Sequence, residues 1–319
     1  MVRGVRDILP QESRRWQEVE AIARQVFAVY HYGEIRTPLF EKTQLFTRAV
    51  GETSDIVEKE MYTFLDRSGE SISLRPEGTA SVVRAFIEHG LQQNLPWRIY
   101  YMGPMFRYER PQKGRFRQFH QIGCELFGSS VPVADVEMMA MLMRFFNALG
   151  VSDRVQLELN SLGCPVCRPP FRYQLLTFLQ QQQHDLCDLC QSRMERNPLR
   201  VLDCKQATCQ SIVTTAPKMI DHLCNDCHEH FSGVMEYAQA IGLSFKLNPL
   251  MVRGLDYYTR TVFEVTTTAL GSQNAVAAGG RYDGLVAEMG GGAIPAIGFA
   301  AGIERLVLLL EGHESLSGH

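Results

Sequence analysis

The chain has 319 residues, enough for a large core and for about two domains. Hydrophobic residues make up 45% and charged residues 21%, an ordinary balance for a soluble globular protein, and the net charge is −3. This charge excludes a general attraction to nucleic acid, so any such contact must come from a local basic patch. The N-terminus lacks the apolar core of a signal peptide, and no apolar run is long enough to span a bilayer. We therefore expect a cytoplasmic protein with no membrane partner.

The first third of the chain begins with helical spacing of apolar residues over 11–31 and continues with a short extended segment over 34–40. Pro38 in that segment fits a strand end, a sheet edge or a simple turn equally well. Residues 71–75 alternate as a strand that stops at Pro76, and a helix follows. Glu77 and Thr79 lie at this junction. The carboxylate of Glu77 can favour the helix N-terminus, the more ordinary interpretation, or hold an ammonium group of a ligand.

Residues 105–125 predict a strand, a basic turn and a second strand. Because side chains alternate between faces, Arg107 and Glu109 are expected to share a face, as are Phe119, Gln121 and Glu125. Between residues 107 and 117 there are five basic side chains and one acidic side chain. A solvated surface hairpin explains a basic turn in general. The alternation of arginine with glycine and aromatic residues favours a platform for an anionic, planar ligand.

The sequence next predicts a helix over 134–149 and a strand over 155–160. Helical patterns then dominate, glutamine and cysteine become frequent, and residues 164–243 are interpreted as a helical insertion. Eight of the nine cysteines fall in this insertion, as three C-x-x-C pairs and one looser pair: Cys164, Cys167, Cys187, Cys190, Cys204, Cys209, Cys224 and Cys227. This spacing suits tetrahedral Zn²⁺, and eight thiols can form two four-cysteine sites. A set of buried or free thiols is the alternative. Three histidines are candidate substitute ligands, although a surface position is the more ordinary interpretation of each: His222, His228 and His230.

The sequence pattern again predicts strands at residues 244–247 and 261–267. Glycine-rich segments follow, and residues 293–310 read as a strand that turns into a helix. Gly298 and Gly302 permit close backbone approach there. Arg305 lies in the first turns of that helix, where an arginine is more often an ordinary surface residue than a ligand clamp.

Several of these segments resemble the motifs of bacterial histidyl-tRNA synthetases, a family of class II aminoacyl-tRNA synthetases. Residues 36–39, 106–119 and 298–305 resemble the three class II motifs. Arg-Gly-Leu-Asp-Tyr-Tyr at 253–258 and Gly-Arg-Tyr-Asp-Gly at 280–284 resemble the two signatures particular to the histidine enzyme, and residues 74–79 resemble a segment beside the amino-acid site. The resemblance covers the chain from about residue 3 to residue 311.

The resemblance implies an α+β fold, a class II catalytic core of antiparallel sheet flanked by helices, with a helical insertion. It divides the chain into residues 1–163 with motifs 1 and 2, the cysteine-rich insertion 164–243, and residues 244–319 with the histidine signatures and motif 3. A homodimer is implied, with the proline of motif 1 at its interface. The family carries an anticodon-binding domain after motif 3, which is expected to be absent here, either in a catalytic fragment or in a short paralogue.

The implied function is the activation of L-histidine by ATP to histidyl-adenylate, followed by transfer of histidine to the 3′ end of tRNA(His). Arg107 and Arg253 are implied as catalytic arginines on opposite sides of the α-phosphate, because guanidinium is a permanently charged planar donor. The resemblance assigns Glu109 to the adenine amino group and Arg115 to the outer phosphates with Mg²⁺. Phe119 and Arg305 are assigned to the two faces of the adenine ring.

Eight residues are implied in histidine binding: Glu77, Thr79, Gln121, Glu125, Arg253, Tyr257, Tyr258 and Tyr282. Glu77 and Thr79 would bind the ammonium group, and Glu125 with Tyr258 would pair with the imidazole nitrogens. The loop 110–113 would face the acceptor stem of the tRNA.

Two other functions compete with this one. The regulatory subunit of ATP phosphoribosyltransferase resembles the same family without catalysis and also lacks the anticodon domain, but its relatives typically lose the catalytic arginines and the histidine signatures. A synthetase for another amino acid conflicts with Glu125 and with residues 253–258. The arginines and both signatures are present here, which favours the enzyme.

Overall fold

An eight-stranded sheet forms the centre of the computed structural model, which describes residues 1–52, 54–270 and 274–311. Its strands, in spatial order, are β1 (Gly33–Glu34), β5 (Trp97–Phe106), β6 (Gln118–Phe127), β11 (Ala296–Gly302), β10 (Ala275–Arg281), β9 (Thr259–Thr266), β7 (Gln156–Ser161) and β8 (Lys246–Leu247). A second, antiparallel sheet has the order β2 (Phe40–Lys42), β4 (Ser71–Leu74) and β3 (Thr63–Leu65).

The large sheet is mixed, since its six central strands are antiparallel and its two edge strands pair in parallel. The expected antiparallel sheet is therefore correct for the centre and wrong for both edges. Parallel neighbours require a long crossover. The insertion provides such a crossover between β7 and β8, and the chain between β1 and β5 provides the other.

Ten α-helices are described in the same part of the chain. They are α1 (Pro10–Val29), α2 (Thr43–Val50), α3 (Thr79–Glu88), α4 (Pro132–Ala148), α5 (Arg168–Gln181), α6 (Asp188–Arg196), α7 (Ala207–Val213), α8 (Asn225–Ala240), α9 (Leu285–Glu288) and α10 (Ile303–Leu310). None of the described helices is both long and apolar enough to cross a membrane.

Two apolar cores lie on opposite faces of the large sheet, because successive side chains of a strand point to opposite faces. On β6, Ile122, Cys124 and Leu126 pack into a core with α1, α4, α8 and α10, whereas Phe127 belongs to a second core with α3 and α9. Three methionines of α4 are buried in the first core and Met143 packs against it, which agrees with a packing role. A third core lies within the insertion and contains Phe171 and Leu175 together with several cysteines.

Several expected boundaries differ from those of the structure by one or more residues. The strand expected at 244–247 is reduced to Lys246–Leu247, because Phe245 packs against the first core instead. The strand expected at 261–267 runs from Thr259 to Thr266. Arg107 and Glu109 do not lie on a strand, since β5 ends at Phe106, but the backbone N–H of Arg107 still donates to the carbonyl of Arg117 across the turn, at 2.9 Å.

Candidate active site

A cavity of about 280 Å³ lies against β6, β9, β10 and β11, on the face of the sheet opposite the first core. The thirteen residues that the sequence assigned to ATP or histidine all line it: Glu77, Thr79, Arg107, Glu109, Arg115, Phe119, Gln121, Glu125, Arg253, Tyr257, Tyr258, Tyr282 and Arg305. Phe119, Gln121 and Glu125 share a face as expected, because no bulge interrupts β6 between them. Distant segments of the chain thus meet in one concave site.

One end of the cavity is rich in arginine. The Arg107 guanidinium lies 5.3 Å from the centre of the Phe119 ring, and its Nε donates to the Pro76 carbonyl at 2.8 Å. Glu109 lies 2.9 Å from Arg115 and 3.9 Å from Arg107. One carboxylate is thus shared by two guanidinium groups, which leaves net positive charge for an anion.

Arg305 extends from the first turn of α10 towards the same end. Its guanidinium donates to the Ala275 carbonyl on β10, and it lines the cavity rather than the protein surface. Burial lowers the pKa of Arg305, and the neighbouring Arg115 lowers it further. The ordinary interpretation of Arg305 as a surface residue is therefore wrong.

The opposite end of the cavity is organised by Glu125, which is almost fully buried. Thr79 donates its hydroxyl to Oε1 of Glu125 at 2.7 Å, and Tyr101 donates to the same oxygen at 3.3 Å. Tyr282 donates to Oε2 at 2.6 Å. Burial raises the pKa of Glu125 to about 8, although the hydroxyl donors act in the opposite direction. A buried carboxylate supported only by neutral donors can pair strongly with an N–H group of a ligand.

Glu77 has the ordinary structural role that its position allows. Its two carboxylate oxygens accept the backbone N–H groups of Thr79 at 2.7 Å and of Ala80 at 2.8 Å, at the start of α3. Burial raises the pKa of Glu77, and these two bonds oppose the rise. Each carboxylate oxygen can accept more than one bond, so the side chain also keeps capacity for a ligand.

Arg253 lies on the side of the cavity formed by residues 253–258. Its guanidinium lies 5.4 Å from the centre of the Tyr258 ring and donates to Oε1 of Glu264 on β9. Burial opposes its charge, but the Glu264 carboxylate holds the pKa of Arg253 above its ordinary value. Tyr257 contacts Tyr258 and Tyr282, with ring centres 4.8 and 5.6 Å apart, and the three rings form one wall.

Apart from Oε2 of Glu109, which is paired with the Arg115 guanidinium, two polar groups of the cavity lack a hydrogen-bond partner among the described residues. They are Oε1 of Gln121 and Nε of Arg253, and both are buried. Because buried polar groups are normally satisfied, these two are available to a ligand.

The sequence interpretation missed Tyr101 and Glu264. Tyr101 is opposite Gly123 on β6, and a Cβ atom at Gly123 would lie 2.3 Å from the tyrosine ring. The available signal was Gly123, two residues before Glu125, because a glycine in a strand can leave room for a large side chain on the neighbouring strand. Glu264 is an acid within the apolar strand β9, which was a signal for a buried cationic partner.

The eight cysteines of the insertion form two groups of four in the described chain. One group contains Cys164, Cys167, Cys224 and Cys227, and the other contains Cys187, Cys190, Cys204 and Cys209. Within each group all sulfur atoms lie within 4.8 Å of one another. Neither group includes His222, His228 or His230, and His230 instead bonds Asp135 at 2.8 Å. The idea of histidines as substitute ligands is therefore wrong.

The fold and the cavity define the catalytic core of a class II aminoacyl-tRNA synthetase. The structure of apo histidyl-tRNA synthetase from S. aureus superposes with a TM-score of 0.78 at 38% identity, over 98% of this chain and 73% of that one. The chain belongs to the histidyl-tRNA synthetase family, since the family model described as Histidyl-tRNA synthetase matches residues 4–306.

Curated relatives agree with this membership. The histidine–tRNA ligase of Trichlorobacter lovleyi is 56% identical over 97% of this chain and 74% of its own length. That of Geobacter metallireducens is 55% identical over 98% of this chain and 76% of its own length. An ATP phosphoribosyltransferase regulatory subunit/histidyl-tRNA synthetase from Bacillus halodurans has a TM-score of 0.70 at 23% identity, over 98% of this chain and 84% of that one, and shares the fold.

Proposed function

We propose that this chain activates L-histidine with ATP and transfers the histidyl group to the 3′ end of tRNA(His). The observation that carries the proposal is the single cavity with arginines at one end and a buried carboxylate at the other. In the first reaction an oxygen of the histidine carboxylate attacks the α-phosphorus, and the bond to pyrophosphate breaks. In the second, a terminal ribose hydroxyl of the tRNA attacks the acyl carbon and releases AMP.

The arginine-rich end suits ATP. Arg107 and Arg253 would stabilise charge that develops on the α-phosphate, since preorganised donors act most strongly in a site shielded from water. Glu109 would accept the adenine amino group, and Arg115 would bind the outer phosphates, which ATP carries together with Mg²⁺. Phe119 contacts Arg107 in the structure. Its pairing with Arg305 around adenine is proposed for the bound state.

The carboxylate end suits histidine. Glu125 and Tyr258 would pair with the two imidazole nitrogens, and Tyr257 and Tyr282 would shape the pocket around the ring. The buried, unpartnered Oε1 of Gln121 supports a contact with the ligand's polar groups. The ammonium would be bound by two residues at the start of α3, Glu77 and Thr79.

The regulatory-subunit alternative is less well supported. The Bacillus halodurans structure described as an ATP phosphoribosyltransferase regulatory subunit/histidyl-tRNA synthetase shares the fold at 23% identity. The relatives at 54–56% identity are histidine–tRNA ligases. Arg107 and Arg253 line the cavity here, together with other residues of signature 253–258 and Tyr282 of the second signature.

We propose the same partition of the chain as the sequence suggested, with residues 1–163 and 244–319 forming the core and 164–243 the insertion. The third apolar core supports this division for residues up to Cys227, whereas the rest of α8 packs in the first core. The eight cysteines are proposed to hold structural Zn²⁺. A cytoplasmic location is proposed because none of the nine cysteines forms a disulfide in the described chain.

We also propose a homodimer. The small sheet exposes apolar side chains beside the motif 1 segment, namely Leu39, Phe40, Phe64 and Leu65. An exposed apolar patch of this kind marks an interaction surface. The exposed loop 110–113 is proposed to face the acceptor stem of the tRNA, since Arg110 and Lys113 have no described ion pair and reach solvent.

Histidine-dependent exchange of pyrophosphate into ATP tests the proposal. We expect exchange by the wild-type chain, and Arg253→Ala should lower the rate roughly 100-fold or more, as the loss of one charge-stabilising donor does in other enzymes. Arg172→Ala removes an exposed arginine on α5 and should leave the rate unchanged. No exchange from folded, magnesium-supplied wild type would contradict the proposal, and an unchanged rate in the Arg253→Ala variant would contradict the role of Arg253.

A further inference from the structure

We propose that the insertion holds two Zn²⁺ ions, each bound by four thiolates, and that the two sites position opposite ends of segment 253–258 against the histidine pocket. We call the binding of Zn²⁺ the metal half of this inference and the positioning of segment 253–258 the bracing half. The bracing half rests on the proposed function, whereas the metal half does not. The metal half follows from sulfur geometry. The bracing half follows from two arginines of the insertion, Arg168 and Arg200.

The first group of thiols has the spacing of a tetrahedral metal site. The sulfur atoms of Cys164 and Cys167 are 3.6 Å apart, and those of Cys164 and Cys224 are 3.8 Å apart. Four sulfurs at a Zn–S distance of about 2.3 Å lie roughly 3.8 Å from one another, whereas a disulfide requires about 2.05 Å. The backbone N–H of Cys224 also donates to the Cys167 sulfur at 3.1 Å, which stabilises a thiolate.

The second group repeats this geometry. The sulfur atoms of Cys187 and Cys204 are 3.9 Å apart. The N–H of Cys187 donates to the Cys209 sulfur at 3.3 Å, and the N–H of Gln206 donates to the Cys204 sulfur at 3.5 Å. Both groups thus combine four converging sulfurs with backbone donors that favour the ionised ligands.

The first site is connected to one end of segment 253–258 by Arg168. Arg168 directly follows the ligand Cys167, and its guanidinium donates to the Leu162 carbonyl at 3.2 Å and to the Tyr258 carbonyl. The backbone of residues 162–163 pairs with Arg260 through two hydrogen bonds of 2.7 and 2.8 Å. Tyr258 is therefore hydrogen-bonded to the residue directly after Cys167, and Arg260 is hydrogen-bonded to the two residues directly before Cys164.

The second site is connected to the other end of the segment by Arg200. The short turn Pro198–Val201 lies between Cys190 and Cys204 in the chain, and α6 carries Cys190 towards it. Arg200 donates to the Arg253 carbonyl at 3.2 Å and to the Asp55 carboxylate at 3.2 Å. Arg193 on α6 donates to the same carboxylate at 2.9 Å.

Two arginines, one directly after Cys167 and one in the turn that precedes Cys204, therefore contact the backbone at the first and last residues of the signature 253–258. That segment carries Arg253, Tyr257 and Tyr258 into the cavity. Five of the eight cysteines are buried members of the third core, so thiolates bound to metal would contribute to its rigidity. Metal binding in the insertion would thereby set the position of the histidine pocket.

The metal half is tested by metal analysis of the full chain purified without chelator. We expect two zinc ions per chain, one in the Cys164→Ser/Cys224→Ser variant and one in the Cys187→Ser/Cys204→Ser variant. Cys124→Ser, which alters the one cysteine outside both groups, should retain two. Fewer than two zinc ions in wild type, with the eight thiols freely titratable, would overturn the proposal even if a variant failed to fold.

The bracing half is tested by calorimetric titration with histidine and, separately, with ATP. Arg168→Ala and Arg200→Ala should each retain two zinc ions and raise the histidine Kd about tenfold, the effect of losing a hydrogen bond from a charged group. Their ATP Kd should change little, and Arg168→Lys should give an intermediate histidine Kd. Arg172→Ala, on the same helix as Arg168, should match wild type.

An unchanged histidine Kd in both alanine variants would overturn the bracing. So would an equal weakening of ATP binding, because that outcome indicates general damage to the fold. Failure of wild type to bind histidine would refute the proposed function and the bracing together. The zinc count would still decide the metal half on its own.

Discussion

At the scale of single residues, the site depends on how each charge is neutralised. Arg253 is paired with Glu264, and Arg115 with Glu109. Glu125 has no cationic partner in the described structure and is held by three hydroxyl groups. Burial raises its pKa to about 8, because a carboxylate without a cationic partner is costly to ionise away from water.

Replacing Glu125 by glutamine should therefore stabilise the free protein at high pH. In the folded wild type the carboxyl holds its proton up to about pH 8, whereas in the unfolded chain it loses it near the ordinary value of 4.5. The contribution of Glu125 to stability is thus present below pH 4.5 and is lost as pH rises towards 8. Differential scanning calorimetry should show the Tm of Glu125→Gln rising relative to wild type over this range and levelling above it.

The same variant should lose histidine-dependent exchange, because an amide cannot supply the negative charge that the imidazole pairs with. Glu236→Gln alters an exposed acid on α8 and should reproduce the pH dependence of wild-type stability. A Tm difference between Glu125→Gln and wild type that stays flat from pH 5 to pH 9 would contradict the raised pKa.

At the scale of elements, neighbouring strands make room for the polar side chains of the site. Gly298 on β11 is in register with Glu125 on β6, and a Cβ atom at Gly298 would lie 1.7 Å from Oε2 of that carboxylate. Gly78 and Gly123 provide the same space for the Tyr101 ring. Gly298 on β11 thus leaves the space that the Glu125 side chain on β6 occupies. The position of Glu125 therefore depends on a strand that is remote in sequence.

We expect Gly298→Ala to displace the Glu125 carboxylate and weaken histidine binding by roughly tenfold or more, because its hydrogen bonds to the hydroxyl groups are broken. Titration of histidine by calorimetry measures the effect. Gly33→Ala, on β1 of the same sheet, meets no atom within 4 Å and serves as the control. Equal affinities in the two variants would show that the close approach at Gly298 has no role.

At the scale of the whole molecule, the insertion packs against the core through arginines close to its cysteines. Asp55 of the core pairs with Arg193 and Arg200 of the insertion. Buried Asp135 and Arg281 form a second ionic contact within the core, 2.5 Å apart, with His230 beside them. The insertion is thereby held on the side of the cavity that carries segment 253–258.

Removing metal should consequently destabilise the chain as well as the pocket. We expect a strong chelator to lower the Tm of wild type by roughly 5 °C or more, because metal bound only to the folded form contributes to folding free energy. A variant with serine at Cys164, Cys187, Cys204 and Cys224 should show no response to chelator. A wild-type Tm that is indifferent to chelator and to added zinc would argue against metal in the insertion.

The sequence by itself determined the class of the fold and thirteen of the residues that line the cavity. The motif segments carry their chemistry in local strings, so Arg107, Glu125, Arg253 and Arg305 could be assigned before any contact was known. Elements with strong periodicity, such as α1 and the strands of the central hairpin, were predicted for the same reason.

Only the tertiary structure decided relations between distant segments. Local spacing cannot say which C-x-x-C pair joins which, and the structure pairs the first with the third. It also paired Tyr101 with Glu125, paired Arg253 with Glu264, and made both sheet edges parallel. Each of these depends on strand register or a crossover between remote residues, which periodicity along one segment does not encode.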